Sequence, residues 1–185
     1  MSTIAAPAVR TLIAAPEIAS RVHALGESIS RDYAGRDLVM VCILKGSLVF
    51  YADLLRAITI PVRCDALAVE SYHGTQTSGE VRFTADLRSS IEGKHVLLVE
   101  DIVDTGLTVS YLLGALGARR PASISVATLL DKPSRRQTPV VLAYTGFEIP
   151  DAFVVGYGLD YEQYFRNLPY VAVLEEIPSL ETREL

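Results

Sequence analysis

The stretch that most constrains the fold runs from Val96 to Leu116 and reads VLLVEDIVDTGLTVSYLLGAL. Its first four residues are apolar, which is typical of a parallel strand covered on both faces of a sheet. A helical spacing of apolar residues follows and predicts a helix ending near Gly114 and Gly117, with an inner face of Val109, Leu112, Leu113 and Leu116. The polar residues between the two elements form a turn at the carboxyl end of a strand, where open α/β sheets bind ligands.

Other parts of the chain repeat this strand, loop and helix pattern. Leu38–Leu44 is a second buried strand, followed by Lys45, Gly46 and Ser47 and then by a helical spacing that starts at Leu48. The remaining predicted elements are a helix over 16–31, a half-exposed strand over 60–72, a strand over 124–130 and a closing strand over 171–174. The alternation predicts an α/β fold with a mostly parallel twisted sheet flanked by helices.

The segment HGTQTSGE, over 73–80, is polar and contains glycine, with no apolar period. It predicts a mobile excursion, which is either a lid or an ordinary exposed connection in a hairpin.

Composition limits the possible classes of protein. The 185 residues with 50% hydrophobic content predict one domain, 1–185, with a full core. A net charge of -5 without a strongly basic stretch argues against a nucleic-acid partner. We expect no membrane span and a cytoplasmic protein, because no apolar run reaches membrane length and prolines interrupt the N-terminal segment. Cys42 and Cys64 lie in apolar runs and are expected to be buried free thiols.

The turn after the first strand combines two kinds of chemistry. Its Thr-Gly-Leu-Thr run opens a helix and is suited to hold a phosphate. The carboxylates Glu100, Asp101 and Asp104 stand beside it, and these suit a metal ion or ligand hydroxyls. The chain lacks the G-x-x-x-x-G-K-[ST] pattern of a P-loop. A phosphoaspartyl enzyme using Asp101 remains an alternative, although the turn favours a ligand that brings its own phosphate.

The motif E-D-x-x-D-T-G at Glu100–Gly106 resembles the phosphoribosyl pyrophosphate signature of the hypoxanthine-guanine phosphoribosyltransferase family. Two further matches are LKGS at Leu44–Ser47 and FEIPDAFVVGYGLDYEQYFRNLPY at Phe147–Tyr170. The family often has glycine in place of Ser47. The resemblance implies a type I phosphoribosyltransferase fold, with a core over about 38–145 and a small hood formed by the N-terminal segment and 146–175.

The resemblance also implies roles for individual residues. Those expected to bind phosphoribosyl pyrophosphate are Lys45, Gly46, Glu100, Asp101, Asp104, Thr105, Gly106, Leu107, Thr108 and Arg166. Those expected at the purine are Ile102, Lys132, Phe153, Val154 and Asp160, with Lys132 donating to the 6-oxo group and Phe153 stacking on the ring. Asp104 is the expected general base.

Glu100, Asp101 and Asp160 are the expected contacts for Mg²⁺, and Ser71 and Tyr72 the expected start of a lid. The implied activity is transfer of a phosphoribosyl group from phosphoribosyl pyrophosphate to a 6-oxopurine by a homodimer or homotetramer. A regulator that keeps the fold as a ligand sensor without catalysis is the other alternative.

Overall fold

The computed structural model describes residues 9–74 and 77–175. The strands are β1 (Val9–Ile13), β2 (Leu38–Leu44), β3 (Arg63–Gly74), β4 (Thr77–Ala85), β5 (His95–Val103), β6 (Ser123–Asp131), β7 (Tyr144–Glu148), β8 (Val154–Val155) and β9 (Val171–Leu174). The α-helices are α1 (Ala15–Asp32), α2 (Leu48–Ala57) and α3 (Leu107–Gly117), and a 3-10 turn covers Pro133–Arg135. None of the helices in these residues has the length and apolar character needed to cross a membrane.

Six strands form the central sheet in the order β4-β3-β2-β5-β6-β7. All neighbours pair in parallel except β4, which is antiparallel to β3 at one edge. The predicted α/β architecture is therefore confirmed. The unbroken apolar runs of β2 and β5 are central because helices cover both of their faces.

Alternate residues of the central strands enter two separate hydrophobic clusters. Met40, Leu97 and Leu129 pack with α1 and α2 on one face. Val41 and Leu98 pack with α3 on the other face. This division follows from the two-residue period of a strand, which sends neighbouring side chains to opposite faces.

Helix α1 has the amphipathic pattern that the sequence predicts, because Ile18, Val22, Leu25 and Ile29 are all buried. Its start is fixed by the Glu17 carboxylate, which accepts a hydrogen bond of 2.9 Å from the Ala14 N–H.

The hood is a second sheet of three strands in the order β1-β9-β8. It joins the N-terminal strand to two strands near the C-terminal end, in line with the hood that the family resemblance implies. Val154, Tyr157 and Val171 of this part belong to the same hydrophobic cluster as the central strands.

Several boundaries differ from the sequence-based prediction. Strand β5 continues to Val103, so Glu100 and Asp101 lie on the strand and the turn begins only at Asp104. The predicted excursion over 73–80 is largely a hairpin of β3 and β4, with residues 75–76 outside the described part. Cys42 is buried as predicted, whereas the prediction for Cys64 is wrong because it lies exposed near the start of β3. Helix α3 also runs through Gly114 and ends at Gly117.

Candidate active site

Three neighbouring parallel strands end at one edge of the sheet and bring the predicted polar groups together. Lys45 and Gly46 follow β2, Asp104 follows β5, and Lys132 follows β6. The Lys132 N–H donates to the Val103 carbonyl at 3.0 Å, which ties the ends of β5 and β6 to each other. The predicted polar groups therefore lie at the carboxyl ends of neighbouring strands, the edge at which open α/β sheets bind ligands.

The turn before α3 has the geometry of an anion cradle. Gly106 adopts a left-handed φ of 83° and precedes the first residue of the helix, Leu107. The Leu107 N–H donates to Thr105 Oγ1 at 3.4 Å, while the other N–H groups of the first turn have no acceptor within the helix. On the outer side, the Thr105 carbonyl accepts hydrogen bonds from the N–H groups of Gln137 and Thr138 at 2.9 and 3.0 Å. The free N–H groups at this helix start would favour an anion such as a phosphate.

The two acidic residues of β5 have different surroundings. Glu100 Oε2 is buried and has no hydrogen-bond partner among the described residues. Burial of the Glu100 carboxyl, reinforced by the charge of Asp101, raises the pKa of Glu100 well above its usual range. Asp101 is 8% exposed, and its carboxylate lies so close to Gly46 that a Cβ atom at Gly46 would overlap it. The pair therefore connects the end of β5 to the Lys45–Gly46 loop.

The predicted magnesium contacts are only partly assembled from protein groups. In residues 9–74 and 77–175, no three His, Cys, Asp or Glu side chains form a group able to hold a metal ion. Asp160 Oδ1 pairs with Arg166 Nη2 at 2.6 Å, and its Oδ2 accepts the Gln163 N–H at 2.8 Å. The unpartnered carboxyl oxygen of Glu100 beside Asp101 fits a Mg²⁺ ion that takes most of its oxygen ligands from substrate and water.

Asp104 has an arginine partner that the sequence analysis missed. Arg135 Nε lies 3.3 Å from Asp104 Oδ1, and Arg135 Nη1 lies 3.6 Å from Asp151 Oδ2 in the hood. Arg135 thus stands between the predicted base and the hood. Its position three residues after Lys132 was the only available signal, because Asp151 is distant in sequence.

Lys132 is buried at 7% exposure, which is unusual for a lysine. Within the described residues, its ammonium group has no hydrogen bond or ion pair. An ammonium group without a protein partner can donate a hydrogen bond to a ligand that supplies an acceptor. A 6-oxo group would be such an acceptor.

The hood presents an aromatic ring and a free backbone edge. The Phe153 side chain is 48% exposed and packs edge-on against Tyr161, with 5.8 Å between the ring centroids. Val154 lies opposite Val173 in the β8–β9 ladder, and the flanking Phe153 carbonyl accepts the Leu174 N–H at 3.0 Å. Antiparallel pairs alternate between bonded and non-bonded, so the backbone groups of Val154 point away from β9.

Ile102 is half-buried on the face of the sheet that packs against the hood. It therefore lies on the same side of the sheet as Val154, and its place near the purine stays a prediction.

The loop after β2 has an unusual backbone, because the Leu44–Lys45 peptide bond is cis. Ser47, which stands where the family often has glycine, is completely buried, and its hydroxyl donates to the Ile43 carbonyl. This hydroxyl closes the loop onto β2, so the departure from glycine is accommodated within the fold.

Arg166 stands beside the same loop from the hood side. Its Nη1 donates to the Gly158 carbonyl at 2.7 Å. Gly158 in turn packs on Gly46 so closely that a Cβ atom at Gly158 would overlap the Gly46 carbonyl. Ser71 and Tyr72, predicted to begin the lid, lie on β3, and their side chains are outside the described part of the chain.

Comparisons with known proteins agree with this fold. The family profile described as "Phosphoribosyl transferase domain" matches residues 9–162. The hypoxanthine phosphoribosyltransferase of Haemophilus influenzae is 47% identical over 174 residues, covering 91% of this chain and 97% of that protein. The hypoxanthine-guanine phosphoribosyltransferase of Streptococcus pneumoniae R6 is 45% identical over 168 residues, covering 90% and 93%. A crystal structure of a Staphylococcus aureus hypoxanthine phosphoribosyltransferase superposes with a TM-score of 0.87 at 45% identity, covering 90% and 91%.

Proposed function

This chain belongs to the phosphoribosyltransferase family, and we propose that it transfers the 5-phosphoribosyl group of phosphoribosyl pyrophosphate to a 6-oxopurine. The products are the purine nucleotide, IMP from hypoxanthine or GMP from guanine, and pyrophosphate. The enzyme is a transferase of purine salvage.

One observation carries the choice of a 6-oxopurine. Lys132 is a largely buried residue whose ammonium group has no partner among the described residues, and it follows β6, the strand that pairs with β5. An ammonium group only donates hydrogen bonds, so it suits the oxo oxygen and opposes the amino group of adenine. The unpaired backbone groups of Val154 and the exposed Phe153 ring of the hood are suited to a planar base.

The reaction proceeds by displacement at C1′ of the ribose. The purine N9 forms a bond to C1′ while the bond from C1′ to the pyrophosphate oxygen breaks. Asp104 accepts the proton that leaves N7, so the base remains neutral as its nitrogen attacks. The N–H groups and hydroxyls of Thr105–Thr108 hold the 5′-phosphate, which fixes the sugar relative to the base.

The leaving pyrophosphate is assigned to the Lys45–Gly46 loop and Arg166. These are donor groups on two sides of the crevice, and cations there would stabilise the charge that develops on the leaving oxygen. Mg²⁺, when bound, would neutralise pyrophosphate oxygens, with Glu100 and Asp101 touching it or the ribose hydroxyls directly or through water. Asp160 could contact Mg²⁺ as well only if its ion pair with Arg166 breaks.

Release of pyrophosphate tests the activity directly. The wild-type enzyme is incubated with Mg²⁺, phosphoribosyl pyrophosphate and, separately, hypoxanthine, guanine, xanthine and adenine. We expect pyrophosphate and the matching nucleotide with hypoxanthine or guanine, and much less product with adenine. A ligand sensor would release none with any base. A phosphoaspartyl enzyme would instead carry phosphate on Asp101, which intact-mass spectrometry detects.

Omitting Mg²⁺ and adding a chelator tests the metal requirement. We expect the rate with hypoxanthine to disappear and to return when Mg²⁺ is restored. An unchanged rate would contradict the proposal for Mg²⁺.

We also propose that the enzyme is a cytoplasmic homodimer or homotetramer, following the family resemblance. Light scattering after size-exclusion chromatography distinguishes these states from a monomer of 20.1 kDa.

A further inference from the structure

Tyr157 occupies an unfavourable backbone position in the hood. It is 6% exposed and has a φ of 49°, between Gly156 at 96° and Gly158 at 101°. A tyrosine in the left-handed region is held only where its surroundings over-determine it. Here the Tyr157 N–H donates to the Leu168 carbonyl at 2.8 Å, and its hydroxyl donates to Asp53 Oδ2 at 2.6 Å.

The hydrogen bond between Tyr157 and Asp53 closes a ring of contacts at the Lys45–Gly46 loop, which the proposed function assigns to pyrophosphate. Asp53 lies on α2, the helix that starts directly after Lys45–Ser47. From Asp53 the ring passes to Tyr157, to its neighbour Gly158, and back to the loop through the contact of Gly158 with the Gly46 carbonyl. One side-chain bond therefore connects the loop to the hood through a path separate from the sheet.

The same ring fixes Arg166. The Gly158 N–H donates to the Arg166 carbonyl at 3.0 Å, and the Gly158 carbonyl accepts from Arg166 Nη1 at 2.7 Å. Any displacement of the Tyr157 backbone would therefore move Gly158 and the guanidinium group with it. Arg56 pairs with the other oxygen of Asp53, which leaves Oδ2 to the tyrosine.

We propose that Tyr157 and Asp53 are positioning residues that hold the Lys45–Gly46 loop and Arg166 at the spacing required by the pyrophosphate group. This inference rests on the proposed function, and it concerns two residues to which that function gives no role. The hydroxyl of Tyr157 is engaged by Asp53 and its residue is buried, so it acts on the substrate only through its neighbours.

The substitution Tyr157→Phe removes only the hydroxyl. We expect the KM for phosphoribosyl pyrophosphate, and the KM for pyrophosphate in the reverse reaction, to rise about tenfold, as for loss of one hydrogen bond to a charged group. The KM for hypoxanthine should stay within about twofold of the wild-type value. The residues proposed to contact the purine are not part of the ring of contacts that runs from Asp53 through Tyr157 and Gly158 to Gly46.

A matched control is Tyr144→Phe. The Tyr144 hydroxyl donates to Asp32 Oδ2 at 2.9 Å, so this variant also loses one bond between a tyrosine and an aspartate, but between β7 and α1. We expect both KM values of the control to remain at wild-type level. The melting temperatures of the two variants show whether a difference in their KM values could arise from a difference in stability.

Variants of Asp53 provide an independent test. Asp53→Asn keeps an oxygen acceptor for Tyr157 and should bind pyrophosphate with Mg²⁺ nearly as the wild type in calorimetry, whereas Asp53→Ala should bind about tenfold more weakly. The double variant Asp53→Ala/Tyr157→Phe should be no weaker than Asp53→Ala, because both changes remove the same bond.

The inference is overturned if Tyr157→Phe raises the KM values for hypoxanthine and phosphoribosyl pyrophosphate equally, or if Tyr144→Phe has the same effect. It is also overturned if Asp53→Ala binds pyrophosphate as tightly as Asp53→Asn. A wild-type enzyme that makes no nucleotide would instead contradict the proposed function. The calorimetric comparison of Asp53→Ala with Asp53→Asn would still test whether the bond to Tyr157 supports pyrophosphate binding.

Discussion

Asp104 is a partly exposed carboxylate that shares Arg135 with Asp151, and the proposed reaction requires it to accept a proton. Asp104→Asn keeps the size of the side chain but removes the basic oxygen. We expect kcat with hypoxanthine to fall by about 10²–10⁴-fold, the usual contribution of a general base. Stopped assays of nucleotide formation measure this, and calorimetry should show that phosphoribosyl pyrophosphate still binds.

The control for Asp104 is Asp151→Asn, which changes the other carboxylate beside Arg135. Its rate should stay close to wild type because exposed ion pairs contribute little energy. If Asp104→Asn turned over hypoxanthine at the wild-type rate, Asp104 would not be the base.

Lys132 makes a separate prediction about base selection. Lys132→Ala should lower kcat/KM for hypoxanthine by roughly 10–100-fold, because a hydrogen bond from a charged donor is lost. The value for adenine should not fall, since adenine gains nothing from an ammonium donor. Lys94→Ala is the control, because Lys94 lies near the opposite end of β5 and donates to the Ser90 carbonyl. An equal loss for both bases would show that Lys132 does not read the oxo group.

Single residues were predictable from the sequence where a motif ties them to a strand end. Asp104 and Lys132 are examples, since each directly follows the last residue of a strand. The partnership of Tyr157 with Asp53 was not predictable, because the two are 104 residues apart and only the folded chain brings them together. Arg135 stands three residues after Lys132, but nothing in that spacing indicated a contact with Asp104.

Whether a strand could be predicted from the sequence depends on how deeply it is buried. Strands β2, β5 and β6 were predicted because each contains a buried apolar run and lies in the middle of the sheet. Strands β1, β4 and β7 were missed as strands, because each lies at an edge of its sheet and tolerates polar residues on its open side. Their pairing partners, rather than their own patterns, determine that they form strands.

Strand β4 is attached to α3 by a cluster at its end. Asp86, the residue after the strand, accepts two hydrogen bonds from Arg119, at 2.8 and 2.9 Å. The Arg119 guanidinium group also lies 5.6 Å from the centre of the Phe83 ring, and that ring contacts Tyr111 of α3. The hydrogen bonds from Arg119 hold the pKa of Asp86 below its usual value of 3.8.

This lowered pKa predicts a pH-dependent contribution to stability. Because the folded-state pKa lies below the unfolded-state value, the contribution is present above pH 3.8 and is lost as pH falls through the folded-state pKa. Asp86→Asn should therefore reduce the free energy of unfolding at pH 7 by about 0.5–1 kcal/mol, a range suited to a half-exposed bidentate pair. Urea unfolding followed by circular dichroism at pH 7, 4.5 and 3 measures how the difference shrinks below the unfolded-state pKa.

Asp37→Asn is the matched control for that experiment. Asp37 accepts one hydrogen bond from Arg63, and both side chains are more than half exposed. We expect little change in the free energy of unfolding at any of these pH values. A loss in Asp86→Asn that persists unchanged at pH 3 would contradict an electrostatic origin.

At the scale of the whole molecule, the hood shares one of the two hydrophobic clusters of the central sheet. The hood draws β1 from one end of the described chain and β9 from the other. Its buried residues Val154 and Val171 pack in the same cluster as Met40 and Leu97 of the sheet. Under the proposed function, a purine at the hood and a sugar phosphate at the sheet would be positioned by parts that share a core, which favours a fixed geometry between the reacting atoms.

A shared core predicts that the hood and the sheet unfold together. Ile13, at the end of β1, is 6% exposed and contacts the cluster that contains both parts. Ile13→Ala should lower the free energy of unfolding by about 2–5 kcal/mol and shift the whole transition. Tyrosine fluorescence and far-ultraviolet circular dichroism in urea should give coincident curves for the wild type and for the variant. If the hood were an independent unit, the variant would show an early transition while the sheet kept the wild-type midpoint, because a cavity in a separate core leaves the other core intact.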